Sequence, residues 1–127
     1  MMGSAILDYI FDDEPVEGRV LIVDPARELS EPSSWLYAAG FDPREIEDVC
    51  GGFHNINNYH VVIASDGHFD CLDFEKRARN EGYRGPILLA TESPEKYNSQ
   101  FYGYLKKPVE GKEMLALVRS AMDFYGD

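Results

Sequence analysis

Four short segments of the chain run from apolar residues into a polar group: Leu21-Ile22-Val23-Asp24, Val62-Ile63-Ala64-Ser65-Asp66, Leu88-Leu89-Ala90-Thr91 and Gly103-Tyr104-Leu105-Lys106-Lys107-Pro108. As parallel strands they deliver Asp24, Asp66, Thr91 and Lys107 to one edge of a sheet. Open α/β sheets bind their ligands beyond that carboxyl edge. Carboxylates, a hydroxyl and an ammonium converging there make a phosphoryl-handling site. Each residue also has a plainer use. Asp24 before Pro25 ends a strand and starts a turn, Asp66-Gly67 is a turn dipeptide, and Thr91 caps a helix together with Ser93. Lys107 beside Asp66 forms a structural ion pair.

The elements that would position these residues alternate along the chain. Residues 19–24 form a buried strand too short for a helix. A helix follows over about 31–39, with Ser30 as N-cap, Pro32 in its first turn and Gly40 as its stop. Residues 44–49 give a weak second strand, and Gly51-Gly52 with Asn55 to Asn58 leave room only for a very short helix. The third strand is 60–65. The clearest helix spans about 70–81, where Leu72, Phe74, Ala78 and the stem of Arg79 keep a helical period and Gly82 ends it. The fourth strand is 86–90. Ser93-Pro94-Glu95 opens a helix limited to two or three turns before Gly103, and Tyr104 with Leu105 forms a brief fifth strand. A last helix over 110–124 puts Met114, Leu117, Val118 and Ala121 on one face. Strands alternating with helices imply a parallel sheet covered on both faces through right-handed crossovers.

The 127 residues suit one domain with a single core, and 44% apolar with 28% charged residues is an ordinary globular composition. No apolar run reaches the roughly 18 residues of a membrane span, and no basic region precedes the N-terminal apolar stretch as a signal peptide requires. Cys50 and Cys71 lack metal-ligand spacing and read as reduced thiols, which points to the cytoplasm. His54, His60 and His68 read as solvated. A net charge of −11 repels nucleic acid and anionic membrane, both of which are bound by neutralising phosphates.

These segments resemble the receiver domains of bacterial response regulators, the CheY-like, flavodoxin-like fold, over about residues 19–125. Leu21-Ile22-Val23-Asp24 looks like the first strand and first acid of a receiver. Phe69-Asp70-Cys71-Leu72-Asp73-Phe74 is similar to the segment opening its third helix. Thr91 falls where the hydroxyl would, Tyr104 where the switch aromatic would, and Lys107-Pro108 matches the lysine and its proline. The resemblance implies a five-stranded parallel sheet with helices on both faces, here with shortened second and fourth helices. It also implies an aspartate that attacks a phosphoryl group, a Mg²⁺ held by carboxylates, and a lysine on phosphoryl oxygen. The acceptor slot is Asp66 or, by a different alignment of the strand, Ser65; Asp66 restores a carboxylate. Pro25 stands where the family has a second acid. The loop after Asp66, only Gly67-His68-Phe69, lacks the family's Met-Pro and a metal-binding carbonyl. Mg²⁺ binding through Asp24 and Asp66 is therefore expected to be weak, and no other cofactor is implied.

The reading that follows is a stand-alone pseudo-receiver, residues 19–127, that signals by binding another protein without phosphorylation and is not an enzyme. One alternative is a Mg²⁺-dependent receiver phosphorylated on Asp66. Another is a small enzyme on the same fold using Asp24, Asp66 and His68, although no glycine-rich phosphate loop or activated nucleophile accompanies them. In the resembling family the fourth helix, fifth strand and fifth helix form the docking face. Here that region holds Tyr97, Phe101, Tyr102 and Tyr104, with Lys106 and Lys112 as its positive charges, and is expected to meet a protein partner or a second copy. Residues 1–18 form an apolar and acidic extension. Ala5 to Phe11 is expected to dock on the domain or on a second copy, because exposed apolar density of that kind aggregates; the alternative is a partner-binding peptide that is loose when alone.

Overall fold

The computed structural model describes residues 18–29, 32–47, 55–67, 70–97 and 101–126. Five parallel strands form one sheet: β1 (Arg19–Val23), β2 (Asp42–Ile46), β3 (Val61–Ser65), β4 (Ile87–Thr91) and β5 (Gly103–Lys106), in the order β2-β1-β3-β4-β5. That order reverses between β1 and β3, as in flavodoxin-like sheets. Among the described residues the α-helices are α1 (Pro32–Ala38), α2 (Cys71–Asn80) and α3 (Gly111–Gly126).

Alternation along the buried strands splits the core into two layers. Leu21, Val23, Val62, Ala64, Ile87 and Leu89 face α2 and pack on its Cys71, Phe74 and Ala78. Val20, Ile22, Ile63, Leu88, Ala90 and Leu105 face the other way, onto Leu36 of α1 and Met114, Val118 and Ala121 of α3. Helices therefore cover both faces. Asp70 caps α2 by accepting the Asp73 N–H at 3.1 Å, and Gly82, at φ +94°, turns the chain out of it.

Several expectations shift. The second strand begins at Asp42 rather than 44 and includes Pro43; as an edge strand hydrogen-bonded only to β1, it tolerates the missing donor. On α2 it is Cys71, not Leu72, that is buried with Phe74 and Ala78, while Leu72 lies exposed. The fourth helix is reduced further than its sequence suggests, to a single 3-10 turn at Pro94–Lys96. Ser93 makes no side-chain cap there, and Tyr97 is extended (φ −114°, ψ 136°), so the turn stops at Tyr97. Of the expected short second helix the described residues show a 3-10 turn, Ile56–Asn58, while Gly51-Gly52 lie outside them. His60 is not simply solvated: its Nδ1 accepts the Arg19 N–H at 3.0 Å. The expected cap Ser30, together with Cys50, His54, His68 and residues 1–17, lies outside the described residues.

Candidate functional site

Register brings the polar residues together. β3 pairs Ser65 with Ala90, and the Asp66 N–H continues that ladder to the Ala90 carbonyl at 3.1 Å, which sets Asp66 beside Thr91. β4 pairs Thr91 with Lys106, and the Lys107 N–H donates to the Thr91 carbonyl at 2.9 Å. Three neighbouring strands thus end at one spot on the carboxyl edge. Ser65, one residue earlier, is fully buried and shares the strand face of Val61 and Ile63. Between the two acceptor slots, it is the Asp66 carboxylate that meets the lysine.

Lys107 Nζ donates to Asp66 Oδ1 at 2.9 Å and also to Glu28 Oε1. Its side chain is 9% exposed, against 21% for Asp66 and 44% for Glu28. Burial alone would lower the ammonium's pKa, but its hydrogen bonds to Glu28 and Asp66 and their charges raise it above the ordinary value. Burial pushes the Asp66 carboxyl up; hydrogen bonds from Thr91 and Lys107, the Lys107 charge and the Tyr97 hydroxyl outweigh it and hold the group below its usual range. Tyr97 reaches Asp66 Oδ2 with its hydroxyl at 3.3 Å, and burial first, then the nearby Cys71 and Asp66, pushes the phenol up to about 12. Thr91 Oγ1 accepts the Ser93 N–H at 3.0 Å, so its proton is available to Asp66. Cys71 below is an inert thiol, raised by burial to about 12.

Asp24 takes the plainer of its two expected uses, ending β1 and organising the turn that follows. Its carboxylate is almost fully buried, and each oxygen accepts a backbone amide: Oδ1 from Glu28 and Oδ2 from Leu29, both at 2.9 Å. The Arg27 N–H closes a turn onto the Asp24 carbonyl at 3.1 Å, with Arg27 itself at φ 55°. Asp24 is the clamp of the β1–α1 loop, and the loop presents Glu28 to Lys107. Gly67 permits the approach, since a Cβ there would lie 2.6 Å from Glu28 Oε1 and 2.7 Å from the Ala26 Cβ.

These residues do not suit a resident Mg²⁺. The ion prefers near-octahedral oxygen ligands, including free carboxylates. Each Asp24 oxygen already accepts an amide, Pro25 offers no oxygen, and Asp66 and Glu28 face an ammonium. Among the described residues no group of three His, Cys, Asp or Glu converges to hold a metal. Glu28 is the site residue that motif reading missed; its only signal was an acid four positions after Asp24, where loop geometry rather than spacing decides its reach. Part of the expected partner face is also altered. Phe101 is buried in the core, and Tyr97 and Tyr104 pack against it with ring centroids 5.9 Å and 6.0 Å away. Tyr104 is raised above its ordinary pKa by burial, with a backbone hydrogen bond at Phe101 acting the other way. Tyr102 is half-buried, its hydroxyl 2.8 Å from Ser120 Oγ, and Lys106 is exposed.

No protein-family model matches the sequence, and no curated protein sequence matches it. Solved structures do. The receiver domain of the Francisella response regulator 1452 gives a TM-score of 0.72 at 20% identity, over 84% of this chain and 97% of that one. The chemotaxis response regulator CheY4 of Vibrio cholerae gives 0.68 at 23% identity, over 81% and 97%. NtrX from Brucella abortus, in complex with ATP, gives 0.75 at 15% identity, over 87% of this chain but 28% of that longer one. The fold is that of response-regulator receiver domains.

Proposed function

We propose that this chain is a pseudo-receiver, a signalling module that acts by binding another protein and does not depend on phosphorylation. The observation that carries this reading is the commitment of Asp24: both its oxygens hold the loop amides of Glu28 and Leu29, and Pro25 beside it offers no second carboxylate to a metal. The Lys107 ammonium is likewise engaged, by Asp66 and Glu28 together. Asp66 itself is an anion of lowered pKa beside Thr91 and Lys107, which is the one feature favouring a phosphorylatable site. The surface along β5, with Tyr102, Tyr104, the rim of Tyr97 and Lys106, is the contact face in this reading, and Phe101 supports it from within.

Intact mass spectrometry after incubation with acetyl phosphate and Mg²⁺ tests the chemical half. The expected result is unmodified protein; a stable adduct lost in Asp66→Asn restores the phosphorylatable receiver. Tyr102→Ala with Lys106→Glu tests the contact half. The pair of changes is expected to abolish self-association or partner capture, and unchanged binding by a folded variant rejects the face.

A further inference from the structure

The pocket at the carboxyl edge has room left over. A cavity of about 290 Å³ opens beside the Lys107 ammonium, lined also by Thr91, Ser93 and Lys96 and by the carboxylates of Glu28, Asp66 and Glu92. That is far more than one water needs. Two lysines can receive a small oxyanion through charge-assisted hydrogen bonds, in competition with the pocket's own carboxylates. Yet an anion of the protein already sits on Lys107. Glu28 is delivered there by three independent features: the Asp24 clamp on its own amide and the next, the left-handed Arg27, and the bare Cα of Gly67 across from it. Glu28 contributes nothing to the core, since its side chain is 44% exposed. The loop is built around a carboxylate whose contact is the lysine.

We propose that Glu28 is the resident anion of this pocket, and that a small oxyanion binds at Lys107 only by taking the place of Glu28. The inference rests on the engaged lysine of the reading above and adds what controls it. Glu28 raises the cost of anion entry twice, by occupying a donor of Lys107 and by adding negative charge to the cavity already bearing Asp66. Displacing it removes the contact between the loop tip and the residue after β5, leaving the loop held by the Asp24 clamp and the Arg27–Glu47 ion pair.

The test is titration of the full chain with inorganic phosphate at constant ionic strength, followed by amide NMR shifts at Thr91 and Lys107. Glu28→Gln keeps size and hydrogen bonding but removes the charge. It is expected to bind phosphate at least about tenfold more tightly than the wild type, the scale of one hydrogen bond to a charged group. Glu28→Ala should gain similarly, and covers the case in which the glutamine itself holds Lys107. Glu92→Gln, a carboxylate on the same pocket wall with no bond to Lys107, is the control for bulk charge and should shift affinity by less than about twofold. Equal affinity in the wild type and both Glu28 variants overturns the proposal, and so does an equal gain in Glu92→Gln. Phosphate binding is reversible, so mass spectra of the same samples separate this outcome from covalent modification of Asp66, which bears on the proposed function alone.

Discussion

Replacing Lys107 by Met removes the ammonium while keeping most of the aliphatic stem, so the loss reads out the charge. The lysine side chain is 9% exposed and its partners are 21% and 44% exposed. Fully exposed pairs contribute roughly 0–1 kcal/mol, whereas stripping one partner from a buried pair costs about 3–5 kcal/mol. Asp66 would keep Thr91, Tyr97 and some solvent, and Glu28 would turn to water, so the variant should lose about 2 kcal/mol, between those limits. For a domain of this size that is a fall in Tm of about 6–12 °C. Asp66→Asn should cost less, about 1 kcal/mol, because Glu28 still pairs with the lysine. The double variant should fall short of the sum of the singles by about 1 kcal/mol, since the two groups share one interaction. Urea unfolding followed by far-UV circular dichroism measures all three. A Lys107→Met loss below about 0.5 kcal/mol, or strict additivity in the cycle, would show that the site is a surface pairing with no structural weight.

The same pairing has a pH signature. Asp66 is lowered from 3.8 on folding, so its contribution is complete above that value and is lost as pH falls through the lower folded value; the gap between wild type and Lys107→Met should narrow in acid. Lys107 is raised from 10.5, so its contribution is complete below that value and is lost only as pH rises through the higher folded value; stability curves across neutral pH should therefore show a constant gap. Gly67→Ala should destabilise by about 1–3 kcal/mol, because its Cβ would meet Ala26 and Glu28; a neutral result in the same urea assay would mean the loop simply moves aside. Phe74→Ala, at a side chain 1% exposed between α2 and the sheet, should cost about 3–5 kcal/mol by the same measurement.

Much of this molecule was written in local pattern. Leu21-Ile22-Val23, Val62-Ile63-Ala64 and Leu88-Leu89-Ala90 are strands because short apolar runs buried on both faces have few other ways to hide their backbone, and the alternation with helices then requires parallel pairing. The same logic placed Asp66, Thr91 and Lys107 at one edge, since each ends its strand or directly follows it and the register does the rest. What tertiary structure alone decided is where side chains with a choice were spent. Asp24 turned inward to bind its own loop amides rather than outward to an ion, because Pro25 and the left-handed Arg27 bend the chain back over it. Glu28 crossed 79 positions of sequence to reach Lys107, a contact no local spacing encodes. The fourth helix ended after one turn because Tyr97 lies extended with its hydroxyl on Asp66 and its ring on Phe101, a packing gain that short helical propensity does not match. Propensity and periodicity act over a few neighbours and specify the sheet; the site's charges are balanced through loops, whose paths depend on what the rest of the fold leaves open.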